Sequence, residues 1–214
     1  MMNNFLNDIS KWSTSMKIGT AIALGGVVLL GTSILYANSQ NTSTQIPPTS
    51  DTIIVDPIVN EEVEEVIRPY TVNCEIGHYF YEENDSMEKK EKSIVTVPGA
   101  NRTYMLSEGC DYTYNGNSFD IVAVVSGTIT DKLTDATFGD VIILTHESGT
   151  KFVYSSMSNL KVNKGQEVKQ GDVIGKSGTS LYTTNLGKSL HFEVVKNDKH
   201  LNPEKIYTKS VESL

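Results

Sequence analysis

Near its C-terminal end the chain alternates strictly. Ser189, His191 and Glu193 fall on one side of an extended segment, and Leu190, Phe192 and Val194 fall on the other. A period of two satisfies a strand and not a helix, and the apolar side requires a core. The opposite side carries a hydroxyl, an imidazole and a carboxylate, so one face of the sheet is packing and the other is a floor for chemistry.

The chain after Pro69 has the same texture. Short runs of β-branched and aromatic residues, separated by Gly, Asn and Asp, predict strands over residues 121–125, 127–131, 141–146, 151–155, 173–176 and 190–196. The glycines of residues 165–178 read as turn residues, since none has the spacing of a phosphate loop between a strand and a helix. Residues 84–92 are charged and read as a loop or short exposed helix. Phe119 and Phe192 read as core, whereas Tyr112 and Tyr182 fit either core or groove. The fold class is all-β, with a domain over residues 69–208 and a polar, fraying tail over 209–214.

Residues 18–37 carry no charge. At about 1.5 Å per residue, a helix of that length matches a hydrocarbon core of about 30 Å, so this segment is expected to span a membrane. It is longer than the apolar region of a signal peptide and lacks a clear small-x-small cleavage site. Lys11 and Lys17 precede it, whereas Asp51, Asp56, Glu61, Glu62, Glu64 and Glu65 follow it against Arg68 alone. That asymmetry places residues 1–17 in the cytoplasm and the bulk of the chain outside. Residues 38–68, polar and then acidic, read as a linker with a short helix over 60–67.

The formal net charge of -8 excludes a nucleic-acid binder built on a basic patch. Cys74 and Cys110 are too few for a disulfide framework and lack the paired spacing of structural zinc sites, which leaves open one bridge or two free thiols.

Several phrases occur in one order: Ser107-Glu108-Gly109-Cys110-Asp111-Tyr112, residues 121–129, Gly139 to His146, Tyr154 to Leu160, the Lys-Gly-Gln-x-Val-Lys-Gln-Gly-Asp-Val-Ile-Gly phrase, Leu190 to Val194 and Asn202-Pro203. Together they resemble the LytM or lysostaphin-type zinc endopeptidase family. The resemblance implies the family's duplicated-hybrid-motif fold, a curved antiparallel sheet with an open groove for peptidoglycan. Working members hold zinc through a His and an Asp in His-x-x-x-Asp and through the second His of His-x-His. Two further histidines assist a zinc-bound water. A catalytic zinc takes three protein ligands and keeps a fourth position for water, whose pKa falls to about 7.

Set on that pattern, the ligand positions are Ser107, Asp111 and His191, and the assisting positions are Ser156 and Ser189. Serine neither binds zinc comparably nor titrates near neutral pH. The expectation is therefore no catalytic residue, no cofactor and no metal, with Ser107, Asp111 and His191 as vestigial ligand positions. A serine-nucleophile reading fails because no His-plus-acid pair accompanies these serines in a known arrangement. Cys110 reads as core or as a partner of Cys74. His78, His146 and His200 read as surface or satisfied structural histidines, His200 in a polar loop.

The anchor, the acidic linker, the phrase Ile67-Arg68-Pro69-Tyr70 and residues 77–82 further resemble a sporulation branch of this family. That resemblance implies a non-catalytic, single-pass forespore membrane protein whose domain faces the intermembrane space. Its implied partner is the ectodomain of stage III sporulation protein AH, in a ring-forming channel or zipper used during engulfment, with peptidoglycan in reach. The competing readings are a zinc peptidoglycan endopeptidase with an atypical site, and a regulator of cell-wall hydrolases that does not itself cut.

Overall fold

The computed structural model describes residues 63–96, 99 and 103–214. The expected membrane span and most of the linker lie outside these residues. Among the described residues no helix is long and apolar enough to cross a membrane.

Among the described residues, twelve strands follow in chain order: β1 Glu75–His78, β2 Ile94–Thr96, β3 Tyr104–Leu106, β4 Cys110–Thr113, β5 Asp120–Val122, β6 Gly127–Asp135, β7 Gly139–Thr145, β8 Lys151–Ser158, β9 Glu167–Val168, β10 Val173–Ser177, β11 Ser189–Lys196 and β12 Lys199–Leu201. One short helix, α1 Met87–Glu91, lies between β1 and β2 and is capped by Ser86. The main sheet runs β1-β4-β11-β8-β7-β6-β9; β10 pairs with β5 and β8, and β12 extends from β11. Every ladder is antiparallel.

β11 sits between β4 and β8. As its alternation requires, Leu190, Phe192 and Val194 are fully buried in the core with Tyr112, Phe152 and Tyr154. The Phe192 ring stacks at 6.3 Å on Phe152 and lies 5.0 Å from Tyr154. All six predicted strands are present, each shifted by a few residues at most. The backbone of the 107–109 turn reaches β11 only because position 109 is glycine, since a Cβ there would meet the Phe192 carbonyl oxygen.

Three sequence expectations need correction. Residues 63–67 are not helical, and residues 63–68 are not linker. Glu65 bridges to Ser210, Val66 is fully buried, and Glu64 accepts hydrogen bonds from the Ser126 N–H and hydroxyl, both at 2.8 Å. Arg68 forms a bidentate pair with Glu204 at 2.8 and 3.0 Å. The tail over 209–214 does not fray, because Val211 is fully buried and its N–H donates to the Glu64 carbonyl at 3.0 Å. The packed domain therefore starts before Pro69 and includes the last residues.

Both cysteines are free. With Glu75 opposite Thr113 and His78 opposite Asp111, Cys74 and Cys110 stand toward opposite ends of the β1–β4 ladder. At about 3.4 Å of rise per residue, that separation exceeds the Cα distance of about 4.4–6.8 Å that a disulfide needs.

Candidate functional site

Three backbone registers assemble the site. His78 of β1 stands opposite Asp111 of β4, Asp111 opposite His191 of β11, and His191 opposite Ser155 of β8. Facing residues on neighbouring strands share one face of a sheet, so His78, Asp111 and His191 form a row.

Their side chains are joined. His78 Nδ1 lies 2.7 Å from Asp111 Oδ2, and His191 Nδ1 lies 2.8 Å from Asp111 Oδ1. His191 Nε2 is 3.0 Å from Glu193 Oε1. The other Glu193 oxygen faces His200 Nδ1 at 3.0 Å without the alignment of a hydrogen bond, so that contact is chiefly charge. His200 Nε2 then meets Glu108 Oε2 at 3.6 Å. Imidazoles and carboxylates alternate from the buried His78 to the exposed Glu108. Asn185 Nδ2, which can only donate, lies 3.3 Å from His78 Nε2 and fits the tautomer with its proton on Nδ1.

The electrostatics follow from this order. Burial alone would push the His191 imidazolium down, but the Asp111 charge and the hydrogen bonds to Asp111 and Glu193 outweigh it and raise the group to about 10. Burial raises Asp111, and the His191 charge with the bonds from His191 and His78 more than offsets it, leaving the carboxyl below its usual range. Glu193 is held well below the carboxylate range, because His191 and His200 overcome its burial. His200 is raised by its contact with Glu193.

The three serines lie in two places. Ser107 is buried and its hydroxyl donates to the Gly109 carbonyl at 3.0 Å. Ser156 and Ser189 belong to a buried hydroxyl cluster. Ser189 donates to Thr183 Oγ1 at 2.8 Å, and Ser156 Oγ lies 2.5 Å from Ser180 Oγ and 3.2 Å from Thr183 Oγ1. Ser156 sits at φ 59°, in the left-handed region that non-glycine residues seldom occupy. Tyr182 covers His191 edge-on at 4.7 Å, and Phe138 lies 6.0 Å from the same ring. Ser107, Asp111, Ser156, Ser189 and His191 are each at most 1% exposed. The open groove expected from the sequence is absent at this position; the floor for chemistry is roofed by the 180–183 turn and Phe138.

The residues present do not fit zinc. A zinc ligand offers a free lone pair, and three must converge. Both His191 nitrogens face carboxylates as donors, which leaves that ring no lone pair, and the Ser107 hydroxyl is no substitute for a third imidazole. Among the described residues, the His, Cys, Asp and Glu sets whose ligand atoms lie within 4.8 Å of one another are Glu108, Glu193 and His200, and His146, Glu147 and Glu212; neither contains Asp111 or His191.

Sequence reasoning placed Asp111 and His191 together and missed the rest of the chain. His78 is a satisfied structural histidine that bonds the central carboxylate, whereas His200 lies in β12 rather than in a loop, and its buried Nδ1 has a charge contact with Glu193 but no aligned hydrogen bond. His146 is buried at the end of β7 and bonds Ser148 at 3.0 Å. Cys110 is core.

Residues 106–203 match peptidase family M23. The chain is 37% identical over 159 residues to stage II sporulation protein Q of Bacillus subtilis (strain 168), covering 73% of this chain and 55% of that protein. The chain thus spans about half the length of that relative. Among solved structures, a chain of the SpoIIQ-SpoIIIAH pore forming complex is 38% identical with a TM-score of 0.66, over 71% of this chain and 96% of that one. A second SpoIIIAH and SpoIIQ complex gives 38% identity and a TM-score of 0.62, over 66% of this chain and 99% of that one. The chain belongs to the family of stage II sporulation protein Q, and its residues 106–203 match peptidase family M23.

Proposed function

We propose that this chain is a non-catalytic sporulation protein of family M23 whose domain binds the ectodomain of stage III sporulation protein AH. The observation that carries this reading is the 38% identity sustained over 96% of a chain from the SpoIIQ-SpoIIIAH pore forming complex. The geometry supports it from the other direction. A peptidase must bring a scissile carbonyl to a zinc-bound water, and here the equivalent centre is buried, bonded to itself and roofed. Ser107, Asp111 and His191 read as vestigial ligand positions, and Ser156 and Ser189 as degenerate assisting positions.

Residues 18–37 are the proposed membrane span, with residues 1–17 cytoplasmic and the domain in the space between forespore and mother-cell membranes. The sheet path ends at β1 and β9, so two edges are candidates for strand addition by a partner. A net charge of -8 favours a partner surface of positive potential.

The test is co-purification of residues 63–214 with the partner's ectodomain. A stable complex is expected. Absence of binding at partner concentrations of about 100 μM, equivalent to less than roughly 5–6 kcal/mol, contradicts the reading. Release of the full-length chain from the membrane fraction by salt alone contradicts the anchor.

A further inference from the structure

We propose that His78 is a metal-excluding positioning residue: by bonding Asp111 it closes the His78–Asp111–His191–Glu193 chain, which ties β1, β4 and β11 together where a metal ion would otherwise do so. The inference goes beyond partner binding and does not depend on which partner is used.

The pairing of β1 with β4 carries a one-residue irregularity. Ile76 stands opposite Tyr112, yet His78 stands opposite Asp111, so β1 spends two residues where β4 spends one. In a regular ladder Gly77 would face Asp111, and His78 would share the core side with Ile76 and Cys110. The bulge at Gly77 turns His78 onto the Asp111 side instead. A side chain at position 77 would collide with Leu186, whose Cδ1 lies 2.5 Å from an added Cβ. The register shift thus brings one imidazole to one carboxylate. His78 lies outside residues 106–203, the part of the chain that matches the family.

With His78 on Oδ2 and His191 on Oδ1, the Asp111 carboxylate is fixed in orientation: each oxygen keeps a second lone pair, but the group cannot turn toward a metal without breaking a buried imidazole bond. His191 keeps Nε2 on Glu193 and Nδ1 on Asp111 Oδ1, and Nδ1 comes free for a metal only when the Asp111 carboxylate turns away, a movement that loss of the His78 bond permits. Restoring a third ligand at Ser107 therefore does not by itself recreate a metal site.

The experiment uses the full chain, solubilised in mild detergent, dialysed with ZnCl2 and analysed for zinc per chain. Ser107→His is expected to retain less than about one-tenth of a zinc, and Ser107→His combined with His78→Ala or His78→Asn about one, a rise of about tenfold. Stoichiometric zinc in Ser107→His alone overturns the proposal. So does persistent absence of zinc in double variants that melt cooperatively. The unaltered chain supplies a measurement that needs no variant: a long-range proton–nitrogen NMR spectrum is expected to show a slowly exchanging proton on His78 Nδ1. Loss of that proton to solvent within the dead time overturns the assignment, whether or not the variants fold.

Discussion

Replacing Asp111 with alanine removes the carboxylate that two imidazoles share, at a position with no solvent access. Water cannot take its place without opening the roof formed by Tyr182 and Phe138. Removing one partner from a buried ion pair costs about 3–5 kcal/mol, because the other charge is left uncompensated. For a domain of this size each kcal/mol shifts the melting temperature by about 2–4 °C, so Asp111→Ala is expected to lower it by roughly 6–20 °C at pH 6. The pH dependence has a definite sign. His191 is raised to about 10 in the folded chain, so its contribution is full below its unfolded value of about 6.5 and is lost as pH rises toward 10. The gap between wild type and Asp111→Ala should therefore narrow steadily from pH 6.5 to pH 10. Circular dichroism melts at a series of pH values measure it. A drop below about 2 °C at pH 6, or a gap that does not change with pH, refutes the reasoning.

On the acid side, Asp111 and Glu193 are both held below their ordinary values. Their contribution is present above about pH 4 and is lost as pH falls below it, which urea titrations between pH 6 and pH 2 should register as a falling midpoint. Truncation after Thr208 removes the fully buried Val211 and its bond to the Glu64 carbonyl. It should cost about 1.5–3 kcal/mol of side-chain burial, and an unchanged melt would show that the tail is not part of the fold. A reductant should leave the melting temperature unchanged within error, since Cys74 and Cys110 stand too far apart along the β1–β4 ladder to pair; a shift of several degrees would contradict the register.

Much of the sheet was legible because a period of two persists wherever one face is packed, as in β11 and β8. β1, β2, β3, β9 and β12 have two to four residues each, too few for a period to register. The acidic run before Arg68 has the composition of a linker, but its packing rests on individual long-range partners: Ser126 for Glu64, and Glu204 for Arg68, 136 positions away. No local pattern encodes such pairs. At the site, Asp111 and His191 were legible from motif order. His78 was not, because a bulge reverses the face that its spacing from Ile76 implies. The sealing by Tyr182, Phe138 and Thr183 is equally silent in sequence, since a turn residue folded over a floor reads the same as one left in solvent.

The buried centre is closed by imidazoles and carboxylates that bond one another. Elemental analysis of the unaltered full-length chain after dialysis against ZnCl2 tests that most directly. The expected result is less than about one-tenth of a zinc per chain. About one zinc per chain, lost on Asp111→Ala or His191→Ala, would contradict the account and return the chain to the catalytic members of its family.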